Sequence, residues 1–333
     1  MNGRWPLTNR IAHSHMPESE ITRMRTIKSP EIYRNMGFWN TATQEAILGT
    51  TVAIAGTGGA GYMVGLELAR IGVQRFDIAD PESFDDVNSN RVMGVRSDTI
   101  GRNKAEVFMK DLYSINEMAD VRIYTDGVTP HNLSEFMHRA EIVLDATELS
   151  MPELGTMICR EARRIEVPVI NVEYVGHAGQ GTAFDPHSRV TFERFMGIKG
   201  GENAPLDEVA GQTLDPSRYL AYVPPYGDLK TLVAIRNGAP LPSNMIGAGQ
   251  AAQIAVAEAI KHIRRRVGER GLPPTIAPTV RWYDAYTNRS GRTRHSQLSY
   301  YRHLATAVLR NQLRLNEEAS YTPEQRAERG DLG

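Results

Sequence analysis

The sequence predicts an α/β fold: a doubly wound, mainly parallel Rossmann-like sheet with an antiparallel extension and C-terminal helices. Three observations carry this. Short apolar runs alternate with helical periods from Thr51 to Val172, a glycine-rich turn follows the first run directly, and glycine-containing segments after Val175 are patterned as a hairpin.

The first buried strand spans Thr51 to Ala55, preceded by a helix that ends over Gln44 to Leu48. Gly56, Gly58 and Gly61 then satisfy a Gly-x-Gly-x-x-Gly spacing, with Gly59 as an extra glycine. Glycines permit the tight turn, the close approach of a phosphate and the packing of the next helix on the sheet. Val64, Leu68 and Ile71 at i, i+4, i+7 predict that helix from Ala60 to Ile71, its amino end toward the phosphates and Gly72 as its stop. Phe76 to Ala79 is the second strand, and Asp80 closes it where an acid accepts from ribose hydroxyls. Val121 to Tyr124, Ile142 to Leu144 and Val167 to Val172 supply three more strands, with Asn132 to Arg139 and the segment around Cys159 helical between them.

Beyond this core, Gly176 to Phe184 and Val190 to Phe192 read as an antiparallel hairpin, and Gly197 to Ser217 as a mobile crossover loop over the substrate. Met245 to His262 is a helix with a small-residue face, Val280 to Tyr286 a late strand, and His303 to Leu315 a final helix. Two basic clusters, Arg264 to Arg266 and Arg289 to His295, read as a helix end and a loop. The expected organisation is a flexible arm over 1–32, one domain over 33–316 with its nucleotide-binding core at 50–175 and the crossover at about 197–217, and a polar tail over 317–333.

A glycine loop with Asp80 is equally the signature of NAD, so an NAD-dependent oxidoreductase is one alternative. The next segment separates the two nucleotides. Asn88, Asn90, Arg91 and Lys104 follow Asp80, and two side-chain amides with two cations suit a triphosphate that is to be attacked. Arg91 presents a planar fork, while Lys104 is a point charge.

The run from Asp80 to Arg91, the Gly101-Arg-Asn-Lys104 that follows and Leu144-Asp-Ala-Thr-Glu148 together resemble the ThiF/MoeB/HesA family, bacterial relatives of the ubiquitin-activating enzymes. The likeness covers roughly Tyr33 to Glu193. It implies an adenylyltransferase using ATP and Mg2+, in which the acid like Asp80 holds the ribose, Asn88, Arg91 and Lys104 surround the phosphates and the acid at Glu148 helps place magnesium. Glu148 departs from the family's aspartate, and a longer arm shifts the ion. That departure keeps a second alternative, a non-catalytic scaffold with the same fold. Arg34, in Tyr33-Arg-Asn-Met-Gly, resembles an arginine that reaches the ATP of the other subunit, which implies a homodimer.

Composition bounds the rest. Lys plus Arg number 38 against 39 Asp plus Glu, so the net charge of −1 argues against a dedicated nucleic-acid surface. There is no apolar run of membrane-spanning length and no cleavable apolar signal, so the cytoplasm is the expected compartment. The single cysteine, Cys159, leaves no paired-cysteine zinc site and reads as a buried core residue, so neither a structural zinc nor a cysteine thioester relay is expected. The expected substrate is the carboxylate of a peptide or small protein, activated as an acyl-adenylate.

Overall fold

The computed structural model describes residues 34–227, 230 and 242–320; the arm over 1–32 and the tail beyond 320 lie outside the described residues. One eight-stranded sheet runs through the molecule in the order β3-β2-β1-β4-β5-β6-β7-β8. Its parallel part is β1 (Thr51–Ala55), β2 (Arg75–Ala79), β3 (Asp120–Tyr124), β4 (Ile142–Asp145) and β5 (Val169–Val175). The antiparallel extension is β6 (Ala178–Phe184), β7 (Thr279–Asp284) and β8 (Arg289–Arg294). From β1 the chain winds outward to β2 and β3, then returns to place β4 on the other side of β1. The crevice that opens at such a reversal, at the carboxyl ends of the strands, is where open α/β sheets take ligands.

Both faces of the sheet are covered, which explains why all five residues of β1 are buried. On one face lie α1 (Thr41–Gly49), α2 (Gly59–Ile71), α3 (Lys104–Ile115) and α9 (Met245–Arg266) around Ile54, Leu68, Phe76 and Phe108. On the other lie α4 (Leu133–Met137), α5 (Pro152–Arg164), α6 (Phe192–Met196), α7 (Leu206–Ala210) and α8 (Pro216–Tyr219) around Phe136, Val143, Ile158 and Phe195. A long terminal helix, α10 (Gln297–Ser320), follows β8 and runs past Glu317, where a polar tail is expected. Helical hydrogen bonds are made by the backbone, so a polar composition alone does not end the helix.

The small-residue face of α9 packs on β5, β6 and α2. The fit is close enough that a Cβ on Gly179 of β6 would fall 2.2 Å from the backbone nitrogen of Ala251. β6 carries glycine at 179 and 181 because these positions face α9 too closely for a Cβ.

Three expectations change. β6 pairs antiparallel with β5, to which it is joined through Gly176 at φ +57°, and with β7, while Val190 to Phe192 is no strand. Thr191 instead caps α6, its hydroxyl accepting from the Arg194 amide at 3.3 Å. The segment 197–217 holds a turn of 3-10 helix at Gly201–Asn203 with α7 and the start of α8, and buries Val209 and Leu214. A few apolar anchors in a polar stretch suffice to order it. Arg289 to Arg294 is a strand, not a loop: it lacks apolar alternation because it is the outermost strand and most of its side chains meet solvent.

Asp77 in the middle of β2 is fully buried and takes two guanidinium groups, Arg122 Nε at 2.7 Å and Arg139 Nη2 at 2.9 Å. Removing the carboxylate leaves both cations without their buried partner, so Asp77→Ala is expected to lose about 3 kcal/mol of stability. Urea denaturation measures it. A loss well under 1 kcal/mol would mean that both arginines turn to solvent at little cost.

Candidate functional site

The glycine loop is a close-packed object. Gly56 has φ +89°, and a Cβ there would lie 2.5 Å from the Ala146 carbonyl oxygen, so the loop leaving β1 presses against the end of β4. A Cβ on Gly61 would meet the Gly56 oxygen at 2.0 Å, because the first turn of α2 folds back over the loop. Gly58 differs, since a Cβ there would meet nothing within 4 Å. Gly58 is the N-cap of α2, whose first amides and dipole favour an anion. The open side of the loop is therefore also its electropositive side.

Asp80 holds this loop from below. Its Oδ2 accepts from the Thr57 amide at 2.6 Å and the Thr57 hydroxyl at 2.8 Å, and its Oδ1 from the Glu82 amide at 2.9 Å. A carboxylate offers about four lone-pair sites, so one remains for a further donor. The Asn103 amide group donates to the Asp80 carbonyl at 3.1 Å, while its Oδ1 caps α3 by accepting from Ala105 and Glu106. Lys104 follows as the first residue of α3. It is buried, and its ammonium pairs with the carboxylate of Glu82, an exposed side chain.

Asn88 and Asn90 serve different ends. Asn88 Oδ1 accepts from the Asp85 amide at 3.2 Å and closes a capping box on a short 3-10 turn. Asn90 donates from Nδ2 to the Ser243 carbonyl at 2.8 Å, and its own carbonyl accepts from Met245 at 2.9 Å, so it ties this segment to the start of α9. Arg91 Nη1 donates to Val87 O at 2.8 Å and Asn90 Oδ1 at 3.0 Å. The Arg91 carbonyl and the Tyr174 hydroxyl both border Gly59, at 3.1 and 2.5 Å from where a Cβ would stand. Arg91 is thus held beside the glycine loop by its neighbours.

Glu148 is exposed just past β4, its Oε2 accepting from the Ser150 hydroxyl at 3.0 Å. Among the described residues no group of three acids, histidines or cysteines could hold a metal ion. Arg34 is also exposed. Its neighbour Asn35 donates to Ile71 O at 2.9 Å, at the last turn of α2. That is about 20 Å along the helix from Gly59.

Sequence reasoning passed over three residues at this end of the sheet. Asp145, the last residue of β4, is buried and accepts from the Thr147 amide at 3.1 Å, its hydroxyl at 2.7 Å and Asn171 Nδ2 at 3.3 Å. Burial pushes its carboxyl up, with the Thr147 and Asn171 bonds opposing. Glu173 on β5 has its Oε1 buried without a hydrogen-bond partner among the described residues, and burial together with the charge of Asp145 pushes it well above the carboxylate range. Tyr174 faces the opposite way, its hydroxyl raised by burial and drawn down by Arg91. The available signal was the alternation of β5: Ile170, Val172 and Tyr174 turn to the α2 side, Asn171 and Glu173 to the α5 side. Cys159 lies buried within α5, where burial pushes its thiol up.

The ThiF family model matches residues 32–301, most of the chain and well past the Glu193 at which the sequence resemblance fades. The chain belongs to the ThiF family. Among curated relatives it is similar to the tRNA threonylcarbamoyladenosine dehydratase of Haemophilus influenzae, 30% identical over 133 residues, 39% of this chain and 49% of that protein. It is also similar to the sulfur carrier protein ThiS adenylyltransferase of Escherichia coli, 27% identical over 145 residues, 43% of this chain and 56% of the other. This ThiF-family chain spans about half the length of the curated relatives it matches. Of solved structures it resembles PaaA, TM-score 0.57 at 16% identity over 86% of this chain and 77% of the other. It resembles Escherichia coli MccB with ATP at TM-score 0.56 and 18% identity over 77% and 67%. At these identities the structures show the fold.

Glu173 generates a pH prediction. The folded state keeps its proton above the pH at which the unfolded chain releases it, so this residue's contribution to stability falls as pH rises from the ordinary carboxylate range toward the raised folded value. Glu173→Gln removes that dependence. Its stability relative to wild type is expected to increase with pH through this window and to level off below it, read by denaturant melts across pH. A difference independent of pH would show that Glu173 is ionised in the folded protein.

Proposed function

We propose that the chain is an ATP-dependent adenylyltransferase that activates a carboxylate of a peptide or small protein as an acyl-adenylate, without a cysteine thioester relay. The observation that carries this is the grouping at the β1/β4 crevice. The open glycine loop, Asp80 beneath it, Arg91 beside Gly59 and Lys104 at the start of α3 gather at one end of the sheet. Membership of the ThiF family, with an adenylyltransferase among the relatives, supports the same reading.

In the reaction a carboxylate oxygen attacks the α-phosphorus of ATP, the bond from that phosphorus to the bridging oxygen breaks, and pyrophosphate leaves. Negative charge grows on the α-phosphoryl oxygens and on the departing group. Arg91, already oriented by Val87 and Asn90, meets that charge without reorganisation. Lys104 must exchange Glu82 for a phosphate. The exchange costs little because Glu82 is exposed and regains water on leaving, whereas the buried ammonium is never left without an anion. The free lone pair of Asp80 suits one ribose hydroxyl.

The donor chemistry at Glu148 fits magnesium, which is held by one or two carboxylates together with substrate phosphates and water. Glu148 is the exposed carboxylate at the mouth of the crevice, while Asp145 is turned inward to Thr147 and Asn171. Bound there, the ion would neutralise charge on the departing pyrophosphate. The anchoring of Asn35, the neighbour of Arg34, at the far end of α2 from the glycine loop fits a two-fold homodimer in which Arg34 of one subunit reaches the site of the other, and the proposed setting is the cytoplasm.

Arg91→Ala and Lys104→Ala are each expected to lower ATP–pyrophosphate exchange with a peptide substrate about a hundredfold or more, the scale of one lost transition-state contact, in folded protein. Cys159→Ser should keep exchange and product formation. Parent-rate exchange by both cation variants would refute the site, and binding of NAD but not ATP in calorimetry would favour an oxidoreductase.

Mixing Arg34→Ala with Lys104→Ala subunits tests the shared site. Mixed dimers should regain one intact site of two. Absence of rescue after confirmed subunit exchange would reject the trans assignment of Arg34 and leave the adenylation reading standing.

A further inference from the structure

The antiparallel hairpin of β7 and β8 carries a charge distribution that the proposed reaction does not use. From Thr279 to Arg294 it holds Arg281, Arg289, Arg292 and Arg294 against the single acid Asp284. Asp284 is fully buried and occupied, accepting from the Tyr222 hydroxyl at 2.6 Å and from the Tyr286 and Thr287 amides. The pairing register sets Arg281 directly opposite Arg292 and Thr279 opposite Arg294. Like charges directly opposite on one face repel, and an anion between them would offset that repulsion.

Arg281 and Arg292 turn toward α9. With Gln250, Gln253, Ile254 and Ala257 of that helix, and Tyr283 and Ser290 of the hairpin, they line an open groove of about 420 Å³. The lining contains no carboxylate. Among the described residues the guanidinium groups of Arg281 and Arg292 have no ion pair or hydrogen-bond partner. Arginines on an outermost strand often serve only to discourage edge-to-edge pairing. That explanation does not reach Arg281, which lies on β7, one strand in from the edge.

We infer that this groove is a docking surface for an extended polypeptide segment bearing carboxylates at alternate positions. Guanidinium forks bind carboxylates through paired hydrogen bonds, and the two glutamines offer amide donors and acceptors that suit peptide groups. The groove is open rather than closed around a small molecule, and it is lined in part by β8, whose outer side pairs with no other strand among the described residues, so an extended chain can find unpaired backbone groups there. Alternate spacing follows from strand geometry, which sends every second side chain to one face. This surface is independent of the adenylation reading, since no residue in it belongs to the crevice.

The test is fluorescence anisotropy on the full chain with a labelled short peptide of alternating threonine and glutamate, beside its threonine–glutamine counterpart. The glutamate peptide is expected to bind, more weakly as salt rises, and the glutamine peptide not to saturate. Arg281→Glu and Arg292→Glu should each weaken binding about tenfold or more. Arg281→Gln and Arg292→Gln, with circular dichroism as the folding check, carry the same test if a reversal variant unfolds. Equal binding of the two peptides, unchanged affinity in the variants, or tighter binding of single-stranded RNA would each overturn the proposal. So would sedimentation showing that the reversals alone dissociate a dimer, because a second copy would then fill the groove.

Discussion

The carboxylate of Asp80, buried at the end of β2 and accepting from both the amide and the hydroxyl of Thr57, is the contact on which the rest of the site depends. A glycine loop is stiffened by what surrounds it, since glycine itself loses the most freedom on folding. Here the surroundings are a charged acceptor below, the Ala146 carbonyl to one side and the first turn of α2 behind. The same residue organises the approach to α3: its backbone carbonyl takes the Asn103 side chain, and Asn103 caps the helix on which Lys104 is the first residue. One acid thereby couples loop, strand end and cation within a few bonds.

That coupling reaches further into the sheet through Asp77, three residues earlier on β2. Its ion pairs to Arg122 and Arg139 tie β2 to β3 and to the segment that enters β4. The strand that delivers Asp80 is therefore anchored electrostatically at its middle and by hydrogen bonds at its end. The opposite wall of the crevice is built differently. Asp145 is satisfied by Thr147 and Asn171, whereas Glu173 beside it leaves an oxygen without a partner among the described residues. A buried group of that kind is a cost to the folded state at neutral pH, and it stands at the end of the sheet where the cations gather.

Much of the parallel core was legible because its signals are local. Thr51 to Ala55, the Gly56 to Gly61 spacing, the Val64, Leu68, Ile71 period and Asp80 each reflect a chain segment answering to its own backbone and to burial on one side. The spacing of Asn88, Arg91 and Lys104 was legible as a motif, yet their bonding was not. Asn88 closes a turn, Lys104 pairs with Glu82, and Asn90 reaches across more than a hundred residues to Ser243. Where the antiparallel extension was misread, the cause is also physical. Val190 to Phe192 has strand-like residues but starts a helix capped by Thr191, and Arg289 to Arg294 has none of the apolar alternation of a strand yet pairs as the outermost one.

By itself the sequence determined the fold class, the position of the glycine loop and the family to which the chain belongs, because strand and helix periods and motif spacing are properties of neighbouring residues. Only the tertiary structure decided which partner each polar group takes. It buried Lys104 against Glu82, faced Asn171 and Glu173 away from Tyr174, laid the small face of α9 on the glycines of β6, and set Arg281 opposite Arg292 across a strand pair. These are contacts between segments far apart in the chain. Their energies depend on burial and register, which exist only once the sheet has closed around its two cores.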